Sequence, residues 1–218
     1  MAKQVGVLLS GCGVFDGSEI HEAVLTLLFL DRSGVAISCL APDMAQVHVI
    51  DHRTQIADAA SRNVLTEAAR IARGDILGLD AVSADDLDGL ILPGGFGAAK
   101  NLCDFALVGP DASVHPQVAE LLTGMHASGK PIGAMCIAPA VVARVLGAAK
   151  PVVTIGNDAG TAAGISAMGA THADCDVDEI CVDDDNKIVT TPAYMLGPGI
   201  SDIAKGIEKM VAQVIAWL

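Results

Sequence analysis

Aromatic side chains are scarce in this chain of 218 residues, where one Trp, one Tyr and four Phe together make up 3% of the sequence. Apolar residues nevertheless reach 52%, so the core must be built mainly from small and branched aliphatic side chains. Side chains of this kind are typical of a parallel β-sheet with helices packed closely on it.

Basic residues and long apolar runs are also in short supply. Lys and Arg number 13 against 26 Asp and Glu, and the net charge of −13 argues against nucleic acid as a partner because a polyanion would be repelled. The longest apolar stretches, residues 23–30 and 131–143, fall short of the ~20 residues that span a bilayer. We therefore expect no membrane association.

The six cysteines include no Cys-x-x-Cys pair and have no regular spacing, which argues against a disulfide framework and against a structural zinc site. Reduced thiols of this kind predict a cytoplasmic protein. The segment Leu9–Cys12 resembles a bacterial lipoprotein cleavage site. However, the apolar run before it, Val5–Leu9, is shorter than the ~7–15 residues of a signal sequence, so we interpret that run as the first strand.

Strand-like and helix-like segments alternate along the chain, which predicts a single-domain α/β fold with a mostly parallel sheet and helices on both faces. Residues 179–183 and 187–191 predict a small antiparallel hairpin near the C-terminus. The first helix is predicted from Glu19 to about Ser33, with Ser18 as its N-cap. Its apolar positions, which we expect on the buried side, are Ile20, Val24, Leu27, Leu28 and Leu30.

The most informative segment is residues 130–140, where an apolar run typical of a buried strand passes directly into a helical pattern. Cys136 lies at this junction, and Pro139 falls in the first helical turn, where its missing N–H is harmless. A sharp strand-to-helix turn of this kind presents a nucleophile, and the adjoining helix N-terminus predicts a lowered thiol pKa for Cys136. The alternative is an ordinary buried cysteine that only fills space.

Ligands of an open parallel sheet bind beyond the carboxyl ends of its strands. Three glycine-rich or reactive segments reach that edge: residues 10–22, 93–101 and 136–139. In the second segment, Gly94 and Gly95 leave the backbone open, so their amides are available to an oxyanion. The alternative is a turn that simply needs positive φ.

Two carboxylates, Glu19 and Glu22, are spaced i and i+3 at the start of the first helix and lie on a similar face of it. Complementing the helix dipole is the commoner role for such residues. Because both adjoin a glycine-rich strand end, one of them can also accept or donate a proton beside Cys136.

Glu22, the turn Leu92–Gly95 and the segment Ala134–Pro139 resemble the ThiJ/PfpI superfamily, also called the glutamine amidotransferase-like fold. Three longer segments closely resemble its ElbB subgroup, namely residues 10–22, 93–102 and 185–196. The resemblance runs from the first strand to the last helix and implies one flavodoxin-like, three-layer domain over residues 1–218. It also implies a homodimer and an isoprenoid-biosynthesis-associated protein with glyoxalase III-like activity.

The same resemblance assigns Cys136 as the elbow nucleophile, Glu22 as its acid–base partner, and Gly94 and Gly95 as the turn beside it. Many relatives carry histidine directly after the cysteine, whereas Ile137 stands here. This departure puts a protease or amidase triad in doubt.

The resulting hypothesis is a glutathione-independent glyoxalase, without cofactor or metal, that converts glyoxal or a related small 2-oxoaldehyde to a 2-hydroxy acid such as glycolate. In it, Cys136 adds to one aldehyde and Glu22 moves a proton between the two carbons. The oxyanion is held by backbone amides, those of Gly94, Gly95 and Ile137. Further side chains are possible members of the substrate pocket, namely Glu19, Asn101 and Tyr194.

The sequence leaves three other functions open. Oxidation of Cys136 to a sulfinic acid would make the protein a redox sensor or holdase. His172 and Asp174 form a His-x-Asp pair of the kind used in hydrolase or amidotransferase triads. The Gly11-x-Gly13 turn after the first strand is similar to that of a dinucleotide fold, but Asp16 stands in place of the last glycine and would repel a pyrophosphate.

Overall fold

The computed structural model describes residues 3–218, and eleven strands occur in this part of the chain. In chain order they are β1 (Gln4–Leu8), β2 (Ala36–Ala41), β3 (Ile50–Asp51), β4 (Ile56–Ala57), β5 (Leu77–Gly78), β6 (Gly89–Leu92), β7 (Ile132–Met135), β8 (Val152–Val153), β9 (Thr171–His172), β10 (Cys181–Asp183) and β11 (Ile188–Thr191). Seven of them form the central sheet, in the order β10-β11-β7-β6-β1-β2-β5. Within that sheet only the β10–β11 pair is antiparallel.

Seven α-helices connect these strands over the described residues. They are α1 (Ile20–Arg32), α2 (Val64–Ile71), α3 (Phe105–Val108), α4 (Pro116–Ala127), α5 (Pro139–Leu146), α6 (Ala159–Ala167) and α7 (Ile200–Trp217). None of the helices within residues 3–218 combines the length and the apolar character that a membrane span requires.

Side chains of the central strands alternate between two apolar cores, as the two-residue period of a strand requires. In β6, Leu90 and Leu92 face a core shared with α4 and α5, whereas Ile91 faces a core shared with α1 and α7. Helices therefore cover both faces of a mostly parallel sheet. This confirms the predicted α/β fold, including the antiparallel hairpin near the C-terminus.

The first helix is rotated relative to the prediction. Ile20, Val24 and Leu28 were expected on its buried side but are 41%, 48% and 38% exposed, and we call this row of side chains the α1 stripe. Two of the buried side chains of α1 are polar, Glu22 and Thr26, and the other three are Ala23, Phe29 and Leu30. Hydrophobic spacing alone therefore gives the wrong orientation, because a carboxyl group rather than the apolar stripe is directed at the sheet.

The start of α1 also differs from the prediction. Ser18 does not cap the helix, because its Oγ accepts a hydrogen bond from the Ser10 amide at 2.8 Å and so closes the loop after β1. Glu19 is the N-cap instead, and its carboxylate accepts the N–H of Glu22 at 2.8 Å. A carboxylate at this position satisfies a free helix amide and complements the helix dipole.

Candidate active site

Cys136 occupies the turn between β7 and α5 with a φ of 59°, a left-handed value that is uncommon outside glycine. Its amide donates to the Thr191 carbonyl of β11 at 3.0 Å, so sheet pairing holds the chain up to the point where it turns. The side chain is 8% exposed. The strand-to-helix elbow expected from the sequence is present, with the backbone strain that is concentrated at functional sites.

Glu22 reaches this elbow from α1 and is fully buried. Its Oε2 accepts the Gly94 amide at 2.8 Å, and its Oε1 accepts the Tyr194 amide at 3.2 Å. The carboxyl group also adjoins the Cys136 thiol, because a Cβ built on Gly94 would lie 2.8 Å from Glu22 Oε2 and 3.0 Å from Cys136 Sγ. Of the two glutamates singled out in the sequence, Glu22 rather than Glu19 is therefore the one beside the cysteine.

The two glycines after β6 give this contact its space. A Cβ at Gly94 would overlap the Cβ of Cys136 and lie 2.8 Å from Glu22 Oε2. Gly95 has a φ of 91°, and a Cβ there would overlap the backbone nitrogen of Glu19. Gly94 is thus required for close approach, and Gly95 for both space and conformation.

Four backbone amides divide between the thiol and the carboxyl group. The amides of Gly95 and Ile137, which the sequence predicts as oxyanion donors, act on Cys136 and lower its thiol pKa. The Gly94 amide, predicted to join them, donates to Glu22 instead. The expectation for Gly94 is corrected accordingly, because the buried carboxylate already uses that donor.

The Glu22 carboxyl group holds its proton unusually tightly. Burial raises the pKa of this group to about 8, and the negative charge of Glu19 adds to the effect. The Tyr194 and Gly94 amides oppose the rise in pKa because they favour the carboxylate. At neutral pH, Glu22 is therefore mostly a carboxylic acid.

The Cys136 thiol does not have the lowered pKa that its place at a helix N-terminus predicts. Burial, and next the charge of Glu22, raises the pKa of this thiol well above its ordinary value, although the Gly95 and Ile137 amides act in the opposite direction. The prediction of a lowered pKa is therefore wrong, because the loss of water around the sulfur outweighs two amide donors.

Asn101 and Glu19, predicted as possible pocket residues, have structural contacts instead. Asn101 is 4% exposed, and its amide group donates to the carbonyls of Ser10 and Asp16, both at 2.9 Å. Its Oδ1 accepts the Val47 amide at 3.0 Å, which leaves no polar group free for a substrate. Glu19 is the N-cap of α1, where its carboxylate accepts the Glu22 amide and its own amide donates to the Gly94 carbonyl at 3.0 Å, and its charge raises the pKa of Glu22.

Tyr194, the third possible pocket residue, does adjoin the site. Its amide holds Glu22, while its hydroxyl oxygen lies 2.7 Å from Nδ1 of His21. The sequence pattern does not single out His21. The available signal was its place directly before Glu22 on the helix that begins at the strand ends.

Two alternative functions, the hydrolase or amidotransferase triad and the dinucleotide-binding fold, lose their geometric support. His172 Nε2 accepts the Ile155 amide at 3.3 Å and its Nδ1 lies 3.7 Å from Asp174, so its polar partners within residues 3–218 do not include Cys136. The Asp16 carboxylate of the glycine-rich loop is 4% exposed and accepts the Ile50 amide at 2.7 Å, so it serves packing. Residues 3–218 contain no cluster of three or more His, Cys, Asp or Glu suited to a metal ion.

Comparison with known proteins settles the family. No protein-family model matches the chain. It is, however, 48% identical over 224 residues to the human glutamine amidotransferase-like class 1 domain-containing protein 3, mitochondrial, covering 98% of this chain and 83% of the human protein. The chain belongs to the glutamine amidotransferase-like class 1 domain family.

Solved structures agree with this assignment of an amidotransferase-like protein. An isoprenoid biosynthesis protein with an amidotransferase-like domain from Ehrlichia chaffeensis is 37% identical, with a TM-score of 0.92 over 99% of this chain and 100% of that one. DJ-1beta of Drosophila melanogaster is 20% identical, with a TM-score of 0.58 over 100% of this chain and 96% of that one. This chain therefore has the same fold as DJ-1beta.

The relatives also correct the cytoplasmic location that the reduced cysteines predict. The human relative of this amidotransferase-like protein is a mitochondrial protein by name. Free thiols indicate a reducing environment, and more than one compartment provides it. Composition therefore indicates the redox state of the surroundings but does not identify the compartment.

We predict that Glu22→Gln makes Cys136 react faster with iodoacetamide at about pH 9, by roughly tenfold for each unit by which the thiol pKa falls. The reason is that the charge of Glu22 is, after burial, the main cause of the raised thiol pKa of Cys136. The rate is followed by peptide mass spectrometry, which separates Cys136 from the other cysteines.

A matched control is Glu67→Gln, which changes a second buried glutamate. After burial, the charge of Glu67 is the largest cause that raises the pKa of the Cys12 thiol. This variant should therefore speed the alkylation of Cys12 and leave that of Cys136 unchanged. Slower alkylation of Cys136 in the Glu22 variant would contradict the electrostatic account.

Proposed function

We propose that this amidotransferase-like protein is a glutathione-independent glyoxalase of the ElbB subgroup, which converts glyoxal or a related 2-oxoaldehyde to a 2-hydroxy acid without a cofactor. The observation that supports this most is the buried position of the Cys136 thiol beside the Glu22 carboxyl group, with Sγ and Oε2 within about 3 Å of the same point at Gly94. A thiol nucleophile, a proton-transferring carboxyl group and nearby amide donors are the parts that such a reaction needs.

The reaction starts from the thiol–carboxyl pair with one proton, which is carried by sulfur. Cys136 passes this proton to Glu22 as its sulfur bonds to an aldehyde carbon, and the carbonyl oxygen then takes the proton from Glu22. The product is a hemithioacetal, and Glu22 is again a carboxylate. The amides of Gly95 and Ile137, which face the sulfur, stabilise the charge that develops on the oxygen.

Glu22 then removes the proton from the hemithioacetal carbon, and the electron pair forms an enediolate with the neighbouring carbonyl. Glu22 returns this proton to the neighbouring carbon while the hydroxyl proton moves to the neighbouring oxygen, which leaves a thioester of a 2-hydroxy acid. Water attacks the thioester with Glu22 as base, and the carbon–sulfur bond breaks as sulfur regains a proton. One water is added overall, and no oxidant or reductant is consumed.

Cys136→Ser should abolish the formation of glycolate from glyoxal, because a hydroxyl group does not transfer its proton to Glu22 as readily as a thiol. Glu22→Gln should also lose turnover although its thiol alkylates faster, since only the proton transfer is removed. Glycolate is quantified by chromatography, with Cys175→Ser as the control that keeps full turnover.

Unchanged glycolate production by Cys136→Ser would reject the proposal. If the unaltered protein forms no glycolate but peroxide converts Cys136 to a sulfinic acid, the redox-sensing alternative is favoured instead. The burial of the sulfur and its raised pKa make rapid oxidation of this kind unfavourable, because susceptibility follows exposure and thiolate character.

Turnover should rise with pH and level off above about 8. Burial raises the pKa of Glu22 to about 8, so below that pH the pair holds two protons and lacks the carboxylate that accepts the thiol proton. Initial rates of glycolate formation measured from about pH 6 to pH 9 test this. A rate independent of pH over that range would mean that Glu22 ionises near the ordinary carboxyl pKa of about 4.

We also propose that a second copy of the chain covers the α1 stripe. Ile20, Val24 and Leu28 are large apolar side chains one helical turn apart, all more than a third exposed. The same patch on two copies can pack against itself across a two-fold axis, which removes both from water.

Val24→Glu should therefore convert a dimer to a monomer, because two copies of the charge would meet in an apolar interface. Light scattering coupled to size-exclusion chromatography measures the mass. Leu107→Glu is the matched control at another exposed apolar residue, 51% exposed, and should leave the dimer intact. A monomeric unaltered protein would refute this use of the stripe.

A further inference from the structure

A hydrogen bond between two side chains joins α1 to the turn that follows β11. Tyr194 lies in this turn, and its hydroxyl oxygen is 2.7 Å from Nδ1 of the exposed His21. The two rings lie 5.8 Å apart between centroids, tilted by 48°. In the neutral tautomer that carries its proton on Nε2, Nδ1 accepts the phenolic O–H, and in the other tautomer Nδ1–H donates to the phenolic oxygen, so both polar groups are satisfied at the surface of the site.

The same turn delivers a backbone donor to the buried carboxyl group. The Tyr194 amide donates to Glu22 Oε1 at 3.2 Å. The residue before it, Ala193, has a φ of 45°, a left-handed conformation that a residue with a side chain adopts only when its surroundings hold it there. The turn therefore needs an attachment that keeps its strained backbone against α1.

We infer that the His21–Tyr194 hydrogen bond is this attachment, and that both side chains are positioning residues which hold the Tyr194 amide on the Glu22 carboxyl group. His21 and Glu22 are consecutive residues of α1, so the turn is held to one helix at two adjacent points. Neither side chain takes part in a bond-making step. Their effect on turnover rests on the proposed function, whereas their effect on the ionisation of Glu22 does not.

The groups that face Glu22 fix the direction of the effect. Burial and the charge of Glu19 raise the pKa of Glu22, while the amides of Tyr194 and Gly94 and the Cys136 thiol lower it. His21 faces the same region, with Nδ1 3.9 Å from a Glu19 carboxylate oxygen. If the Tyr194 amide moves away, one of the opposing donors is lost, and Glu22 ionises at a higher pH.

The test follows the alkylation rate of Cys136 against pH. The charge of Glu22 raises the thiol pKa of Cys136. The plot of alkylation rate against pH therefore changes slope, or bends, at the pH where Glu22 ionises. Tyr194→Phe and His21→Ala should each move this bend upward by about 0.5 to 1 pH unit, which is typical for the loss of one hydrogen bond to a carboxylate. The double variant should show the same shift as either single one, since both changes break the same bond.

Two further variants separate positioning from a general loss of structure. His21→Gln keeps an acceptor for the phenolic O–H and should restore the position of the bend. His126→Ala breaks a comparable hydrogen bond, that of His126 Nε2 with Asn186 Oδ1 at 3.0 Å, and should leave the bend in place. Additive shifts, no shift, or an equal shift in His126→Ala would each overturn the inference.

Glycolate formation measured on the same variants distinguishes the two proposals. If glyoxal is not turned over but the bend moves as expected, the glyoxalase proposal fails and the positioning inference stands. If glycolate is formed and the bend does not move, the positioning inference fails alone. If both the glyoxalase proposal and the positioning inference hold, the pH at which turnover levels off should shift by the same amount as the bend.

Discussion

The buried carboxyl group of Glu22 is the constraint that the rest of the site depends on. A carboxyl group without water is tolerated only where hydrogen bonds replace its hydration. Here the donors come from the turn after β6 and the turn after β11, and the Cys136 thiol supplies a third contact. Because no single segment provides these partners, α1 and three strand ends must converge on one point.

Several features of the backbone follow from that convergence. The thiol and the carboxyl group approach across Gly94, where no side chain fits. The turns that carry Cys136 and Ala193 both adopt left-handed φ values, which aim a side chain in one case and an amide in the other. Strain at non-glycine residues costs free energy, and the sheet pairing of β7 with β11 holds the strand ends from which both turns begin.

The sequence predicts the parts of the site that local pattern controls, and fails where tertiary burial decides. The elbow at Cys136 and the glycine turn are visible as a strand run that meets a helix start and as small residues at a strand end. The orientation of α1 is not visible in the sequence, since the apolar residues of the α1 stripe lie on a different side of the helix from Glu22. The prediction of a lowered thiol pKa for Cys136 fails for the same reason. A helix N-terminus is a local feature, whereas desolvation depends on all surrounding segments. Asn101 likewise has an amide side chain that suits a pocket, and only the fold shows that all its polar atoms are used.

The division of the backbone amides explains how one small site supports two neighbouring acid groups. Gly94 and Gly95 are consecutive, yet the first donates to Glu22 and the second to Cys136. The left-handed φ of Gly95 allows successive N–H groups to reach different acceptors in the same concave turn. Each acid group therefore has two amides, with Tyr194 completing one pair and Ile137 the other. Burial therefore raises the pKa of both groups and the amides lower both, so the thiol and the carboxyl group respond to the same two opposing effects and titrate as a coupled pair.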